Sequence, residues 1–233
     1  MTPPRHEHFP RRRPLGRKLR RTVLIAVEGR ETEYLYFDSL RRTGAVNDYY
    51  AVTVIRGKGS SRCSIVDAAV RKRDDSEDEY DETWLVLDTE QLTSPKAVAD
   101  FRNARTLAKK HRFKVAVSNP SFEVWLLGHF VRSARPFADA GAVISELNRH
   151  WKTRFGRGYE KGDRAGFEAI IEHTQTAIKH AKVVREKDHA GKGDICKCNS
   201  ATDLYLLVER LTSGGAAGVK GGRKRASKSP IPR

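Results

Sequence analysis

Short strand-like runs alternate with amphipathic stretches along the first 130 residues, and this alternation constrains the fold more than any other feature. The strand-like runs occupy residues 23–27, 51–55, 83–87 and 113–117. The first is continuously apolar, as expected of a parallel strand covered on both faces. Helical spacing and start signals predict helices at residues 32–40, 60–72, from 95 onward, and 122–131. This βαβαβαβα order predicts an α/β fold, a three-layer sandwich with a mainly parallel, Rossmann-like sheet.

Strand signals stop after residue 132. Apolar residues then recur at helical spacing, which predicts helices at residues 139–151, 164–184 and 202–211. We therefore expect an α/β core at residues 22–131 and a C-terminal helical cap at residues 132–213 packed on it. The two ends, residues 1–21 and 214–233, are rich in charge, proline, glycine and serine, which predicts disordered basic tails.

Positive charge is concentrated at the two ends of the chain. The net charge is +16, of which residues 1–21 carry +7 and residues 214–233 carry +6, so the middle carries only +3. Two interpretations stay open: the ends keep the protein in solution, or they hold a polyanion through phosphate contacts without sequence preference. The charge favours a nucleic-acid partner without identifying one.

Composition argues against a membrane or secreted protein. No apolar run approaches the ~18 residues that a membrane-spanning helix needs, and the basic N-terminal stretch lacks the apolar segment of a secretory signal. Cysteines occur only at Cys63, Cys196 and Cys198, too few and too irregular for a disulfide framework. We therefore expect a cytoplasmic protein with no membrane partner, and the sequence leaves its oligomeric state open.

Carboxylates follow two of the predicted strands. Glu28 comes directly after the first strand, and Asp88 and Glu90 come after the third. Ligands of open parallel sheets collect at the carboxyl ends of the strands, and oxygen ligands suit Mg²⁺ or Mn²⁺. The three acids are therefore predicted to hold a divalent metal. Asp88 and Glu90, two residues apart, point to the same side if the strand geometry continues past residue 87. The alternative is that they cap helices or face solvent.

Glu123 is a fourth candidate, at the start of the otherwise apolar helix predicted after the fourth strand. A carboxylate on an apolar face is costly to bury unless it is paired or binds a metal, which favours a catalytic role. The alternative is a first-turn acid that interacts with the helix dipole. Asn119 and His129 are weaker candidates in the same stretch.

Three basic residues are candidates for nucleic-acid contacts. Arg56 and Lys58 lie in a glycine-containing turn between a strand and a helix, where backbone amides and cations can meet a phosphate. That turn lacks the G-x-x-x-x-G-K-S/T pattern of nucleotide hydrolases, and a simple tight turn is the alternative. Lys161 lies in the glycine-rich and charged loop between two helices of the predicted cap. There it either lines the groove that binds the nucleic-acid substrate or is simply exposed to solvent.

Four segments together resemble the RloB family. Residues 27–37 resemble its E-G-x-x-T-E-x-x-Y/F opening motif, and residues 88–90 lie where it has a D-x-D/E motif. Residues 118–130 contain the most distinctive match, S-N-P-x-F-E-x-W-L-L. Residues 199–205 resemble its closing N-P-S/A-T segment, with Ser200 in place of the usual proline. The similarity covers roughly residues 20–212.

The resemblance implies a TOPRIM-related fold and a Mg²⁺-dependent nuclease that acts on DNA or RNA, tRNA included. It places Glu28, Asp88 and Glu90 at the metal, with glutamate replacing the second aspartate of D-x-D. It also implies an effector of a prokaryotic phage-defence or abortive-infection system with a separate ATPase partner. The alternative is a non-catalytic nucleic-acid-binding or adaptor subunit that regulates such a partner.

Overall fold

A five-stranded sheet forms the centre of the protein. The computed structural model describes residues 20–213 except residues 30, 58, 60, 77, 78 and 91. The strands are β1 (Arg21–Val27), β2 (Tyr50–Arg56), β3 (Glu82–Asp88), β4 (Lys114–Asn119) and β5 (Ala201–Thr202). Their spatial order is β2-β1-β3-β4-β5, and the first four run parallel. Since β1 and β3 are neighbours, their carboxyl ends meet at one edge of the sheet.

Eight α-helices accompany the strands in the described part of the chain. They are α1 (Thr32–Arg42), α2 (Arg62–Asp74), α3 (Pro95–Lys110), α4 (Glu123–Leu127), α5 (Ala140–Phe155), α6 (Arg164–Ile170), α7 (Thr174–Val183) and α8 (Leu204–Thr212). Serine or aspartate side chains cap α2, α3, α5 and α6 by accepting a hydrogen bond from a first-turn amide. None of the described helices is long and apolar enough to cross a membrane.

Helices cover both faces of the sheet, as predicted for a three-layer α/β sandwich. Alternate residues of the central strands point to opposite faces: Val23, Ile25 and Val86 face α1 and the helices that follow β4. Leu24 and Leu85 face α2 and α3 on the other side. Both layers of side chains are buried, which explains why residues 23–27 of β1 are apolar at every position rather than at alternate ones.

The C-terminal half departs from the prediction at one strand. The final helix was predicted to begin at Thr202, but residues 201–202 form β5, which pairs antiparallel with the end of β4. Two residues are too few to show the alternating apolar pattern of a strand, so the sequence pattern could not predict β5. The final helix consequently begins at Leu204.

Three helix boundaries also differ from the prediction. The helix predicted at residues 122–131 is only the short α4, followed by turns. The helix predicted at residues 164–184 is interrupted by a 3-10 turn at Ile171–His173 and ends in a π-helical turn at Val184–Asp188. α5 runs on to Phe155, where Gly156 at φ +68° ends it in the left-handed conformation that glycine tolerates best. The predicted basic tails lie almost entirely outside the described residues, although β1 already begins at Arg21.

Candidate active site

The carboxylates predicted from β1 and β3 meet at the carboxyl edge of the sheet. Val27 pairs with Val86 in the register of the two strands, which brings Glu28 beside Asp88. The Asp88 backbone N–H donates a hydrogen bond of 3.3 Å to Glu28 Oε2. β3 ends at Asp88, so Glu90 lies in the following turn, and the strand geometry that would have pointed Asp88 and Glu90 to the same side does not continue to Glu90. Glu90 nevertheless lines the same cleft.

The cleft has a volume of about 400 Å³ and is rich in acidic side chains. Its lining comprises Glu28, Gly29, Glu31, Thr32, Glu33, Arg62, Asp88, Glu90, Glu123 and Lys161. All four acids predicted as catalytic are therefore in one place, although β1, β3 and α4 deliver them from distant parts of the chain. Glu33, Arg62 and Glu31 join them without having been predicted as site residues.

Glu33 is the buried acid that sequence analysis missed. It lies in the first turn of α1 and is 7% exposed. A Cβ atom added to Gly29 would overlap the Glu33 carboxyl group, so glycine at this position makes room for the acid. The sequence does contain a signal for this residue, because Glu33 is the final glutamate of the E-G-x-x-T-E motif. The motif by itself does not assign that glutamate a role.

Negative charge in the cleft is poorly compensated. Burial raises the pKa of Glu33 to about 7, and the nearby Glu123 and Glu28 carboxylates contribute to the rise. Burial also raises the pKa of Asp88 well above its ordinary value, together with the charges of Glu33, Glu28 and Glu123. Burial raises the pKa of Glu28 even though Arg62 opposes the shift. Shifts of this kind arise where carboxylates crowd together with too few cations.

Arg62 is the buried cation of the cleft. Its Nε atom lies 3.4 Å from Glu28 Oε1. One terminal nitrogen donates to the backbone carbonyls of Asp88 (3.2 Å) and Glu90 (2.8 Å). The guanidinium thus ties the turn after β3 to the residue after β1. A single arginine at the start of a helix carries no distinguishing sequence signal, so this role was not predictable.

Glu123 is held by two side-chain donors. It is 4% exposed, Ser121 Oγ donates to its Oε2 at 2.7 Å, and Tyr159 O–H donates to its Oε1 at 3.4 Å. Burial and the Glu123 carboxylate raise the pKa of Tyr159, which keeps the phenol a donor. The carboxylate faces the cleft and accepts hydrogen bonds from side chains, an arrangement that the helix-dipole alternative does not require.

The three basic candidates have different outcomes. Lys161 lines the cleft from the loop between α5 and α6. Arg56 ends β2 at the same edge of the sheet, but it is absent from the cleft lining and its guanidinium lies 3.9 Å from the centre of the Tyr34 ring. Lys58 lies outside the described residues.

Asn119 and His129, the weaker candidates, have structural roles. Asn119 Nδ2 donates to the carbonyls of Ile195 and Cys196. His129 Nδ1 bonds to the Trp125 carbonyl and Nε2 to the Tyr36 hydroxyl. Burial lowers the pKa of His129 to about 4, so it is a neutral core residue.

The donor set fits a hard divalent cation in its chemistry. Carboxylate oxygens are what Mg²⁺ and Mn²⁺ prefer, and a bound cation would compensate the crowded charge. Within the residues that the structure describes, no three His, Cys, Asp or Glu side chains already stand in a ligand arrangement. Glu28 and Glu123 instead engage protein donors. Cation binding in the cleft therefore requires side-chain movement that brings the carboxylates closer together.

Comparison with protein families identifies the chain. The RloB-like protein model matches residues 23–211, which is most of the sequence. The chain belongs to the RloB-like family. No curated protein and no solved structure matches it.

The RloB-like match contains the whole cleft. It runs from β1 to α8 and so includes both acidic strand ends, α4 and the loop that carries Tyr159 and Lys161. The fold that brings these segments together is therefore the part of the chain that the family shares, whereas the basic ends lie outside the match.

Proposed function

We propose that this RloB-like protein is a nuclease that uses Mg²⁺ or Mn²⁺ to hydrolyse phosphodiester bonds in DNA or RNA. One observation carries the proposal: six carboxylates line a single cleft where parallel strands end, namely Glu28, Glu31, Glu33, Asp88, Glu90 and Glu123. Burial there raises the pKa of three of them. A protein retains such an unfavourable cluster at a functional site more readily than in a purely structural one.

Glu28, Asp88 and Glu90 are the proposed metal ligands. A bound divalent ion supplies charge stabilisation at the scissile phosphate and lowers the pKa of an attacking water. Glu123 is the proposed acceptor of a proton from that water, and its hydrogen bonds from Ser121 and Tyr159 orient its carboxylate. Lys161 supplies a cation on the cleft wall for a non-bridging phosphate oxygen.

The biological setting is proposed from the family. We infer that the protein is the effector of a prokaryotic phage-defence system, acts in the cytoplasm, and works with a separate ATPase. The chain has no nucleotide-binding loop of the G-x-x-x-x-G-K-S/T type, which agrees with ATP hydrolysis being supplied by a partner. DNA and RNA, including tRNA, are both candidate substrates.

The test is metal-dependent cleavage by matched variants. Plasmid DNA, single-stranded DNA and pooled tRNA are incubated with Mg²⁺ or Mn²⁺ and wild type, Glu28→Gln or Asp88→Asn. We expect each variant to lose at least about 100-fold in rate, since both remove a proposed ligand charge. Glu172→Gln, which removes an exposed acid outside the cleft, should cleave like wild type. Wild-type rates in both ligand variants would disprove the site assignment.

A non-catalytic adaptor is the second candidate, and one observation favours it. Arg62 already lies against Glu28, and the described acids form no ready-made ligand set, so a protein cation partly fills the role of a metal. Calorimetric titration of the wild type with Mn²⁺ separates the two functions. Binding that is lost in Asp88→Asn supports the nuclease, whereas no binding together with no cleavage supports the adaptor.

A further inference from the structure

Positive charge within the folded body is concentrated in one segment. Residues 95–114 contain seven lysines and arginines and one aspartate, a net charge of +6, whereas residues 22–213 as a whole carry +3. The rest of the folded body is therefore net negative. The segment comprises α3, the turn after it and the first residue of β4.

The exposed side of α3 is basic along its whole length. Lys96, Arg102, Arg105, Lys109 and Lys110 are all exposed. Arg105 lies 3.5 Å from Asp194, and the other four make no salt bridge with any acid in the described part of the chain. The single acid of the helix, Asp100, faces α2, where it accepts a hydrogen bond from the Arg62 backbone N–H.

A groove at the end of α3 extends this surface. Arg105, Thr106, Lys109, Arg112, Phe113 and Val115 line it. Arg112 has φ +60°, the left-handed conformation in which glycine is favoured after a helix. The Phe113 N–H donates to the Ala108 carbonyl and closes this helix end. An arginine thus occupies a position where glycine would be less strained, and its side chain lines the groove.

We propose that these cations, Lys96, Arg102, Arg105, Lys109, Lys110 and Arg112, form a surface that binds the phosphate backbone of nucleic acid without sequence preference. We call it the α3 basic face. At 1.5 Å per residue, Lys96 and Lys110 lie about 21 Å apart along the helix, roughly six phosphate steps of one duplex strand at 3.4 Å each. The face begins beside the acidic cleft, because residues 89–94 connect β3 to α3, and it extends away from it.

Nucleic acid fits this face better than a lipid surface does. A helix that binds membranes presents an apolar side to the lipid, but the apolar side of α3, including Phe101, Ala104 and Ala108, is buried against the sheet. What remains exposed is a row of cations with Asn103 and Thr106 between them, which are groups that contact phosphate oxygens. The inference rests on the proposed function for its substrate class, but the binding itself needs no metal.

The test measures binding in EDTA, so that neither cleavage nor metal affects the result. The full-length test variant carries Lys96→Gln, Arg102→Gln, Lys109→Gln and Lys110→Gln. A matched control loses four exposed cations of the helical cap through Lys152→Gln, Arg154→Gln, Lys179→Gln and Lys187→Gln. Both keep the basic ends, and glutamine preserves helix propensity. Circular dichroism and thermal unfolding check that both variants fold.

We expect the test variant to bind duplex DNA and duplex RNA roughly tenfold more weakly, and the slope of log affinity against log salt to fall by about 0.9 for each lost phosphate contact. The control should keep wild-type affinity and slope. Equal weakening in test and control variants overturns the proposal, since binding would then follow net charge alone. The proposal also fails if poly-glutamate displaces bound DNA from the wild type as well as unlabelled DNA does. It fails equally if the test variant loses binding to phosphatidylserine vesicles but keeps its binding to DNA.

Arg112→Gly gives a second, independent test. Glycine relieves the left-handed strain and should raise Tm by about 2–4 °C, while affinity for DNA falls and the salt slope decreases. If Arg112→Gly is more stable than wild type but binds DNA with the same affinity, Arg112 does not belong to the α3 basic face. The four substitutions of the test variant leave every acid of the cleft in place and binding is measured in EDTA, so a failed nuclease assay and a failed binding assay are distinguishable.

Discussion

Glu82 and Asp88 lie at opposite ends of β3, and their carboxylates differ in whether neighbouring donors and cations compensate the negative charge. Glu82 is 8% exposed and accepts hydrogen bonds from Lys114 (2.9 Å), Trp84 Nε1 (3.2 Å) and Arg210. These donors lower its pKa despite its burial. Burial raises the pKa of Asp88, and its acidic neighbours add to the rise instead of opposing it.

Burial alone therefore does not distinguish a functional carboxylate from a structural one. A buried charge is tolerated when donors and opposite charges satisfy it, as at the amino end of β3. At the carboxyl end the same strand presents a carboxylate among other carboxylates, with Arg62 the only buried cation of the cleft lining. The difference in compensation, rather than depth, supports the proposal that an external cation binds in the cleft.

The largest expected effect is a pH dependence that comes from the uncompensated end. The pKa of Glu33 is about 7 in the folded protein against an ordinary 4.5, so between these values the folded state holds a proton that the unfolded chain has lost. The free energy of unfolding should therefore fall by about 3 kcal/mol as the pH rises from 4.5 to 7, and then level off.

Urea unfolding in EDTA at several pH values measures this fall, with Glu33→Gln as the comparison. The variant cannot titrate at this position, so its stability should fall less over the same range. Identical curves for wild type and Glu33→Gln would contradict the assigned shift. Glu82 gives a contribution of the opposite sign: its lowered pKa adds stability that is lost as the pH falls below 4.5.

The next effect is a difference in sign between the two ends of β3. Glu82→Gln should lower the free energy of unfolding by about 2 kcal/mol, because it leaves Lys114 and Arg210 without their carboxylate. Lys114 is partly exposed, which keeps the loss below that of a fully buried pair. Asp88→Asn should leave stability unchanged or raise it in EDTA, because it removes a crowded charge.

Denaturant unfolding of both variants at pH 7 tests this comparison directly. Two losses of similar size would show that Asp88 is as well compensated as Glu82, and the distinction between the two ends of the strand would fail. Repeating the unfolding measurement with Mg²⁺ adds a second comparison. A bound ion should raise the free energy of unfolding of wild type and not that of Asp88→Asn.

The smallest effect concerns the donor that orients Glu123. Tyr159→Phe removes a 3.4 Å hydrogen bond and should reduce the cleavage rate by about three- to tenfold, with less than about 1 kcal/mol lost in stability. Because the phenol contacts Glu123 and not the proposed metal ligands, kcat should fall while Mn²⁺ affinity stays the same. A large loss of Mn²⁺ affinity would instead make Tyr159 part of the metal site.

Sequence predicted the sheet and the strand-end acids because both depend on local patterns. Continuous apolar runs indicate strands buried on both faces, and parallel strands bring Glu28 and Asp88 to one edge whatever the details of packing. The role of Arg62, the hydrogen bond from Tyr159 to Glu123 and the strand β5 were not predictable for a common reason. Each acts through a contact with a segment distant in the chain, and a single arginine, a single tyrosine or a pair of residues has no periodicity.

The pairing of β5 with β4 also has a consequence for the timing of assembly. The end of β4 is joined to residues near the C-terminus by the Ser118–Thr202 hydroxyl pair and by the bonds from Asn119 to Ile195 and Cys196. The segment that leads into Glu123 therefore acquires these contacts only when translation has passed residue 202. A nascent or truncated chain already contains every carboxylate of the cleft but lacks the contacts that hold this wall. Synthesis of residues 195–202 must therefore precede completion of the wall that carries Glu123.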